Sequence, residues 1–293
     1  AKPPQFILTG SSARKIKRGQ ANLLGGRALT LQFFPLLRAE LGERFSLYKA
    51  LEIGTLPKVY LEKNRQLACD LLQSYVETYL KEEIQLESQI RNLNPFLQFL
   101  TLAAYDNGNA ISFTNIARET GVSYQTVKSY YQILEDTLLG FFLLPYRKSL
   151  RKRLSQHPKF YFFDNGIVRA LTKTLTVPLE PKTDLFGRAF EHFIILEIMR
   201  TIQYEKLDYR MSYYRTEHGA EVDLILETPR GVKKTIEIKS TNNVQSVHLR
   251  GLRSFKEVES QAELACICLA PHRRQIGTIT LLPWQEVLDW IRI

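Results

Sequence analysis

The sequence predicts an α/β multidomain protein. A helical N-terminal segment and a helix-turn-helix unit precede a C-terminal α/β domain on a central mixed sheet. Three observations carry this expectation. The 293 residues are 44% hydrophobic with 16 Phe and 14 Tyr, enough for more than one packed core. Apolar residues recur at helical spacing in the earlier part of the chain, beside Lys- and Glu-rich faces. The last third instead mixes helical and period-two segments, the pattern of a sheet flanked by helices.

The first block covers residues 1–93. A short strand, Phe6-Ile-Leu-Thr9, ends in Gly10-Ser-Ser-Ala13 and runs into Arg14, Lys15, Lys17 and Arg18. Helices are expected over 31–41 and 67–90. In the second, Leu71, Leu72, Tyr75, Val76, Tyr79 and Leu80 share one face. Between the two, Ile53-Gly-Thr-Leu-Pro57 has loop chemistry.

The second block covers residues 94–177. Asn94-Pro95 sets a capping residue before a proline at the first helical position, and the helix over 96–105 ends in Asp106-Asn-Gly-Asn109. A short helix over 114–120, a turn at Gly121-Val122 and a helix from Ser123 to about residue 138 form a helix-turn-helix pattern, with Ala117 at the crossing. Strands over 139–144 and 159–163 follow, and a hairpin behind a helix-turn-helix makes a winged helix. The wing tip carries Arg147, Lys148, Arg151, Lys152 and Arg153. Five cations within seven residues repel one another unless a polyanion neutralises them. The second helix offers Ser123, Tyr124, Gln125, Thr126, Lys128, Ser129 and Tyr131 to a nucleic-acid groove. Gln125 and Lys128 are the candidates for DNA contact, although one Lys is thin for a major-groove reader. The competing readings are a solvated loop and a helix used for packing.

Pro178 and Pro181 mark a linker to the third block, residues 184–293. Its expected order is a helix over 186–202, strands over 208–215, 221–227 and 234–240, a helix over 248–258, a strand over 264–269, and a helix from Trp284. Cys69, Cys266 and Cys268 make neither a disulfide framework nor a zinc spacing. A net charge of +10 favours polyanionic partners, chiefly nucleic acid. No stretch approaches the roughly 18 apolar residues of a membrane span, and no signal-peptide pattern is present. The expectation is a cytoplasmic, DNA-associated protein with no membrane partner.

Chemistry concentrates in the third block. Ile236-Glu-Ile-Lys-Ser240 alternates strictly, so Glu237 and Lys239 emerge on one face of a strand. Asp223 lies on the preceding strand, in Glu221-Val-Asp-Leu-Ile-Leu226, where a hairpin lets it face Glu237. Burying an Asp in such an apolar run is costly without a cation or partner. Glu191 sits on the helix of Gly187-Arg-Ala-Phe-Glu191. Glu197 has a roughly opposite phase and is the weaker candidate. Phosphodiester hydrolysis calls for a divalent cation, and magnesium prefers carboxylate oxygens. Glu191, Asp223 and Glu237 are therefore the candidate ligands for Mg²⁺ or Mn²⁺, and Lys239 is a candidate for handling the attacking water. The alternative is a hairpin whose outer face carries these charges as a cross-strand ion pair.

Asp223, thirteen intervening residues and Glu237-Ile-Lys239 resemble the D…ExK signature of the restriction-endonuclease-like nuclease superfamily, with Glu191 matching its helical acidic residue. The resemblance implies that Asp223 and Glu237 bind metal, that Glu191 completes the shell, and that Lys239 orients or activates water. More widely, Gly10-Ser-Ser-Ala-Arg14, Gly26-Arg27, Gly54-Thr-Leu-Pro57, the winged helix and Gly187 through Ser240 resemble a prokaryotic family of AAA-type ATPases with a C-terminal restriction-endonuclease-like domain. This similarity covers nearly the whole chain. It implies that 1–93 is a remnant of the ATPase module, with Thr9 a sensor near nucleotide phosphates and 20–93 including the helical lid. It also implies homo-oligomers formed through that module. The chain departs from the family in lacking G-x-x-x-x-G-K-[ST] and an acidic strand before Phe6. ATP is thus expected only in the full-length family, and the chain, starting at Ala1, is expected to be the C-terminal portion. Two functions follow: Mg²⁺-dependent hydrolysis of DNA, or a non-catalytic module that binds nucleic acid or protein.

Overall fold

A computed structural model describes residues 29, 31–79, 93–146 and 157–293. The expected strand ending at Thr9, the cations at 14–18, the distal part of the 67–90 helix and the wing-tip cations Arg147, Lys148, Arg151, Lys152 and Arg153 lie outside the described residues.

The N-terminal block contains helices α1 (Arg38–Leu41), α2 (Leu47–Ile53), α3 (Pro57–Leu61) and α4 (Arg65–Ser74), the last running into a π turn over Tyr75–Tyr79. The helix expected over 31–41 is reduced to its last turn. Pro35 disfavours helical backbone at Phe34 and removes a donor, overriding the apolar spacing. The freed backbone is used across the chain instead: Phe34 N–H donates to the Tyr204 hydroxyl at 2.9 Å and Leu36 N–H to the Thr55 carbonyl at 2.9 Å.

Helices α5 (Leu93–Tyr105), α6 (Phe113–Thr120) and α7 (Tyr124–Asp136) follow. Ser112 and Ser123 cap α6 and α7 through their hydroxyls, and Gly121 ends α6 in the left-handed region at φ 67°. Val127, Tyr130, Tyr131 and Leu134 line the buried side of α7 at helical spacing. Tyr131 packs edge-on to Phe99, Phe113 and Phe160. It is a core residue and is unavailable to a groove, contrary to the sequence expectation.

Strands β1 (Gly140–Pro145) and β2 (Lys159–Phe162) form an antiparallel hairpin with Phe141 opposite Tyr161. Helix α8 (Asn165–Leu171) and the long helix α9 (Asp184–Glu205) lead to β3 (Arg210–Arg215), β4 (Glu221–Thr228) and β5 (Gly231–Lys239). After α10 (Arg250–Val258) come β6 (Glu263–Cys268), β7 (Arg274–Ile276), β8 (Ile279–Pro283) and α11 (Val287–Arg292). The β7–β8 hairpin leaves no mark in the sequence pattern, because β7 is three residues long and largely exposed, with no alternation to reveal it.

The hairpin of the second block does not stand alone. β1 also pairs parallel with β3, through Leu144 opposite Ser212. One mixed eight-stranded sheet results, in the order β2-β1-β3-β4-β5-β6-β8-β7. Leu224, Leu226, Ile236 and Ile238 pack with α9 and α11 on one side, while Ile225, Leu264 and Cys266 pack with α10 on the other. No helix among the described residues is long and apolar enough to cross a membrane.

A buried polar clamp joins the first block to the rest. Asp164 caps α8, accepting from Gly166 N–H at 2.8 Å, and also accepts from Thr55 N–H at 2.7 Å. Arg200 on α9 donates to the Thr55 hydroxyl at 3.0 Å and the Phe163 carbonyl at 2.7 Å. Gly54 makes the approach feasible: its φ is +73°, and a Cβ there would lie 1.8 Å from Asp164 Oδ1.

Candidate functional site

The β4–β5 hairpin brings Asp223 and Glu237 together as the alternation requires. The ladder runs through Leu224 opposite Ile236, and beyond that pair Asp223 Oδ2 accepts from Ile238 N–H at 2.7 Å. The Asp side chain thus closes the end of the ladder, holding its own carboxylate at the rim. Asp223 is 7% and Glu237 6% exposed, so neither lies on a solvated outer face. Lys239 Nζ stands 2.5 Å from Glu237 Oε1 and 3.9 Å from Asp223 Oδ2. One cation is therefore within ion-pair reach of both carboxylates.

Glu191 enters from α9, a half-buried residue whose Oε1 accepts from the Tyr161 hydroxyl at 2.8 Å. Burial and the nearby Asp223 charge raise its carboxyl, against the pull of Lys159, Tyr161 and Lys239. Glu237 is held well above the usual carboxylate range by burial and by Asp223, with Lys239 opposing. Its Oε2 is buried without a hydrogen-bond partner among the described residues. Burial alone lowers the Lys239 amine, but Asp223, Glu237 and Glu191 together hold it above its ordinary value. Lys239 is accordingly an ammonium at neutral pH.

Three mutually repelling carboxylates, one with an orphaned oxygen, suit a hard divalent cation in their donor chemistry. They do not form a finished cage. Among the described residues no three His, Cys, Asp or Glu side chains are gathered closely enough to hold an ion, and the Lys239 ammonium lies beside two of the acids.

Two neighbours escaped the sequence reading. Lys159 and Tyr161 alternate on β2 and so share a face. Lys159 is 4% exposed, pairs with Glu221 Oε1 at 2.6 Å and lies over the Tyr213 ring at 5.2 Å. Burial lowers its amine, but Glu191, Asp223 and Glu221 raise it further. A Lys and a Tyr at alternate positions of an apolar strand were the available signal, masked by the aromatic run around them. Two other acids and bases are structural. Glu197 accepts from Arg38 N–H at 3.2 Å, and burial pushes it up to about 7. His192 is bonded to the Phe162 carbonyl at 2.6 Å, and burial pushes it down to about 4.

On α7, Gln125 and Lys128 are both exposed. Lys128 Nζ lies over the Tyr124 ring at 4.8 Å and the Phe113 ring at 5.6 Å. The exposed side chain is thus steered by two aromatic faces.

Comparison with known proteins gives relatives without assigned functions. Residues 44–177 match the family described as Domain of unknown function (DUF8612), and residues 186–287 match Domain of unknown function (DUF4143). The chain is 25% identical over 291 residues to the uncharacterized protein Rv2008c of Mycobacterium tuberculosis, covering 98% of this chain and 63% of the relative. It is 24% identical over 246 residues to the uncharacterized protein MJ1637 of Methanocaldococcus jannaschii, covering 82% and 48%. The chain thus spans less than two thirds of the length of each. No solved structure matches.

Proposed function

We propose that the third block is a restriction-endonuclease-like domain that hydrolyses DNA phosphodiesters with Mg²⁺ or Mn²⁺ held by Glu191, Asp223 and Glu237. The observation that carries this reading is the approach of the buried Asp223 and Glu237 to one shared cation, the Lys239 ammonium, at the end of a strand ladder. A divalent ion bound there would polarise phosphoryl oxygens and help generate hydroxide. Lys239, within ion-pair reach of both acids, would orient or activate the attacking water.

DNA reaches this site in our reading along a winged helix, through Gln125 and Lys128 and the wing-tip cations Arg147, Lys148, Arg151, Lys152 and Arg153. The chain is read as the C-terminal portion of an AAA-type ATPase. Support comes from its match to a domain found in AAA-ATPase-associated proteins and from its partial coverage of longer relatives. ATP and homo-oligomers then belong to the full-length protein. A non-catalytic binding module is the second reading, favoured by the lack of a finished cage around the acids.

The test is incubation with Mg²⁺ or Mn²⁺ and plasmid, single-stranded or branched DNA, beside Glu237→Ala and Lys239→Ala. Cleavage lost in both variants supports the enzyme. A wild-type protein that cuts none of these substrates supports the binding module.

A further inference from the structure

A second group of polar side chains gathers at the seam between the second and third blocks. α8 and the turn after it present Asn165, Arg169 and Thr172 at helical spacing. Across from them α9 presents Leu185, Arg188, Ala189 and His192 at the same spacing. Apolar stripes of this kind would close on each other as core. These, with the end of α5, line a cavity of about 100 Å³.

Arg169 is the member that plain packing does not explain. It is 3% exposed, and its Nη2 donates to the Thr174 and Val177 carbonyls. Its Nε and Nη1 are buried with no hydrogen-bond partner among the described residues. No carboxylate among those residues forms an ion pair with it. Glu52 attracts it, but Glu52 is engaged by Arg65 at 2.6 Å. A buried guanidinium with unspent donors and no counter-charge is costly, and an anion in the adjoining cavity would offset that cost. The exposed Arg188 is already paired with Asp184 at 2.8 Å, so Arg169 supplies the uncompensated charge. Ala104, Val168, Leu185 and Ala189 supply apolar walls. One uncompensated guanidinium between apolar walls suits a monoanion with a short apolar body. A phosphate dianion calls for more donors.

We propose that this cavity binds a small carboxylate, held by Arg169 of the second block against the α9 face of the third. Its place at a boundary between two packed units is where ligand sites commonly form. The proposal is independent of any cation at Glu191, Asp223 and Glu237.

The experiment is titration of the full chain with isobutyrate, followed by saturation-transfer NMR of its methyl protons. Isobutyramide serves as the neutral isostere and inorganic phosphate as a competitor. Arg169→Gln and Ala189→Leu are each first shown to melt cooperatively. The second fills the cavity while leaving the guanidinium in place, and it decides the matter if the first fails to fold. Isobutyrate is expected to bind saturably and about tenfold or more tighter than the amide, the usual weight of a hydrogen bond to a charged group. Each variant should weaken it by about tenfold or more. Equal binding of acid and amide overturns the proposal, as does an unchanged affinity in either folded variant. Phosphate that displaces isobutyrate at lower concentration overturns the carboxylate assignment. A cavity that holds only water gives no saturable isobutyrate signal, which overturns the proposal as well.

Discussion

Replacing Gly54 with Ala tests the clamp that fastens the N-terminal block to α8 and α9. Gly54 sits at φ +73°, where an L side chain costs roughly 1–2 kcal/mol before any contact is counted. The new Cβ would fall 1.8 Å from Asp164 Oδ1 and 2.5 Å from Oδ2, so the carboxylate must swing away or the loop must retreat. Either movement breaks the bond from Thr55 N–H to Asp164 and weakens that from Gly166 N–H. Hydrogen bonds to a charged group contribute about 1.5–3 kcal/mol each. Arg200, fully buried, also loses the carboxylate that helps offset its charge. The expected loss is about 4–6 kcal/mol, a large part of the stability of an ordinary domain. Urea denaturation followed by fluorescence of Trp284 and Trp290 reads it directly. A loss below about 1 kcal/mol would show that this loop yields without cost and that the clamp does not hold the blocks together.

Three further outcomes are expected. Burial raises Glu197 to about 7, so between the ordinary carboxylate range and that value the folded chain keeps a proton the unfolded chain has released. Its contribution to stability therefore falls as pH rises through this window, by on the order of 3 kcal/mol. Glu197→Gln should match wild type near pH 5 and exceed it near pH 8 in parallel urea titrations, and a constant difference would contradict the assignment. Cys266 and Cys268 are 0% exposed with thiols raised by burial, whereas Cys69 is partly exposed. A thiol reagent should label one cysteine in the native protein and three after denaturation; rapid native labelling of all three would contradict the packing of β6. Replacing Arg151, Lys152 and Arg153 with Ala should lower the salt slope of DNA binding by about 2–3, measured by fluorescence anisotropy from low to moderate salt. An unchanged slope removes these cations from the interface.

The features legible in the sequence are local ones. Strict alternation around Glu237 and Lys239, and a short hairpin behind Asp223, were enough to place all three at one end of a ladder, because side-chain direction along a strand has period two. Helical spacing likewise marked α7 and α9. Where two local signals conflict the sequence misleads: apolar spacing over 31–41 suggests a helix that Pro35 cuts short, and the polar tip of Tyr131 suggests a groove contact although its spacing marks the core.

What only tertiary structure decided are the long-range partnerships. Nothing in residues 140–162 announces that β1 will pair with β3, or that Tyr161 will hold Glu191 thirty residues on. Nor does Gly54 announce Asp164, 109 positions away in the Thr55 contact. Periodicity fixes which face of an element is apolar, but every apolar face is a suitable partner for many others. The choice among them depends on packing the whole chain at once, and no segment carries it alone.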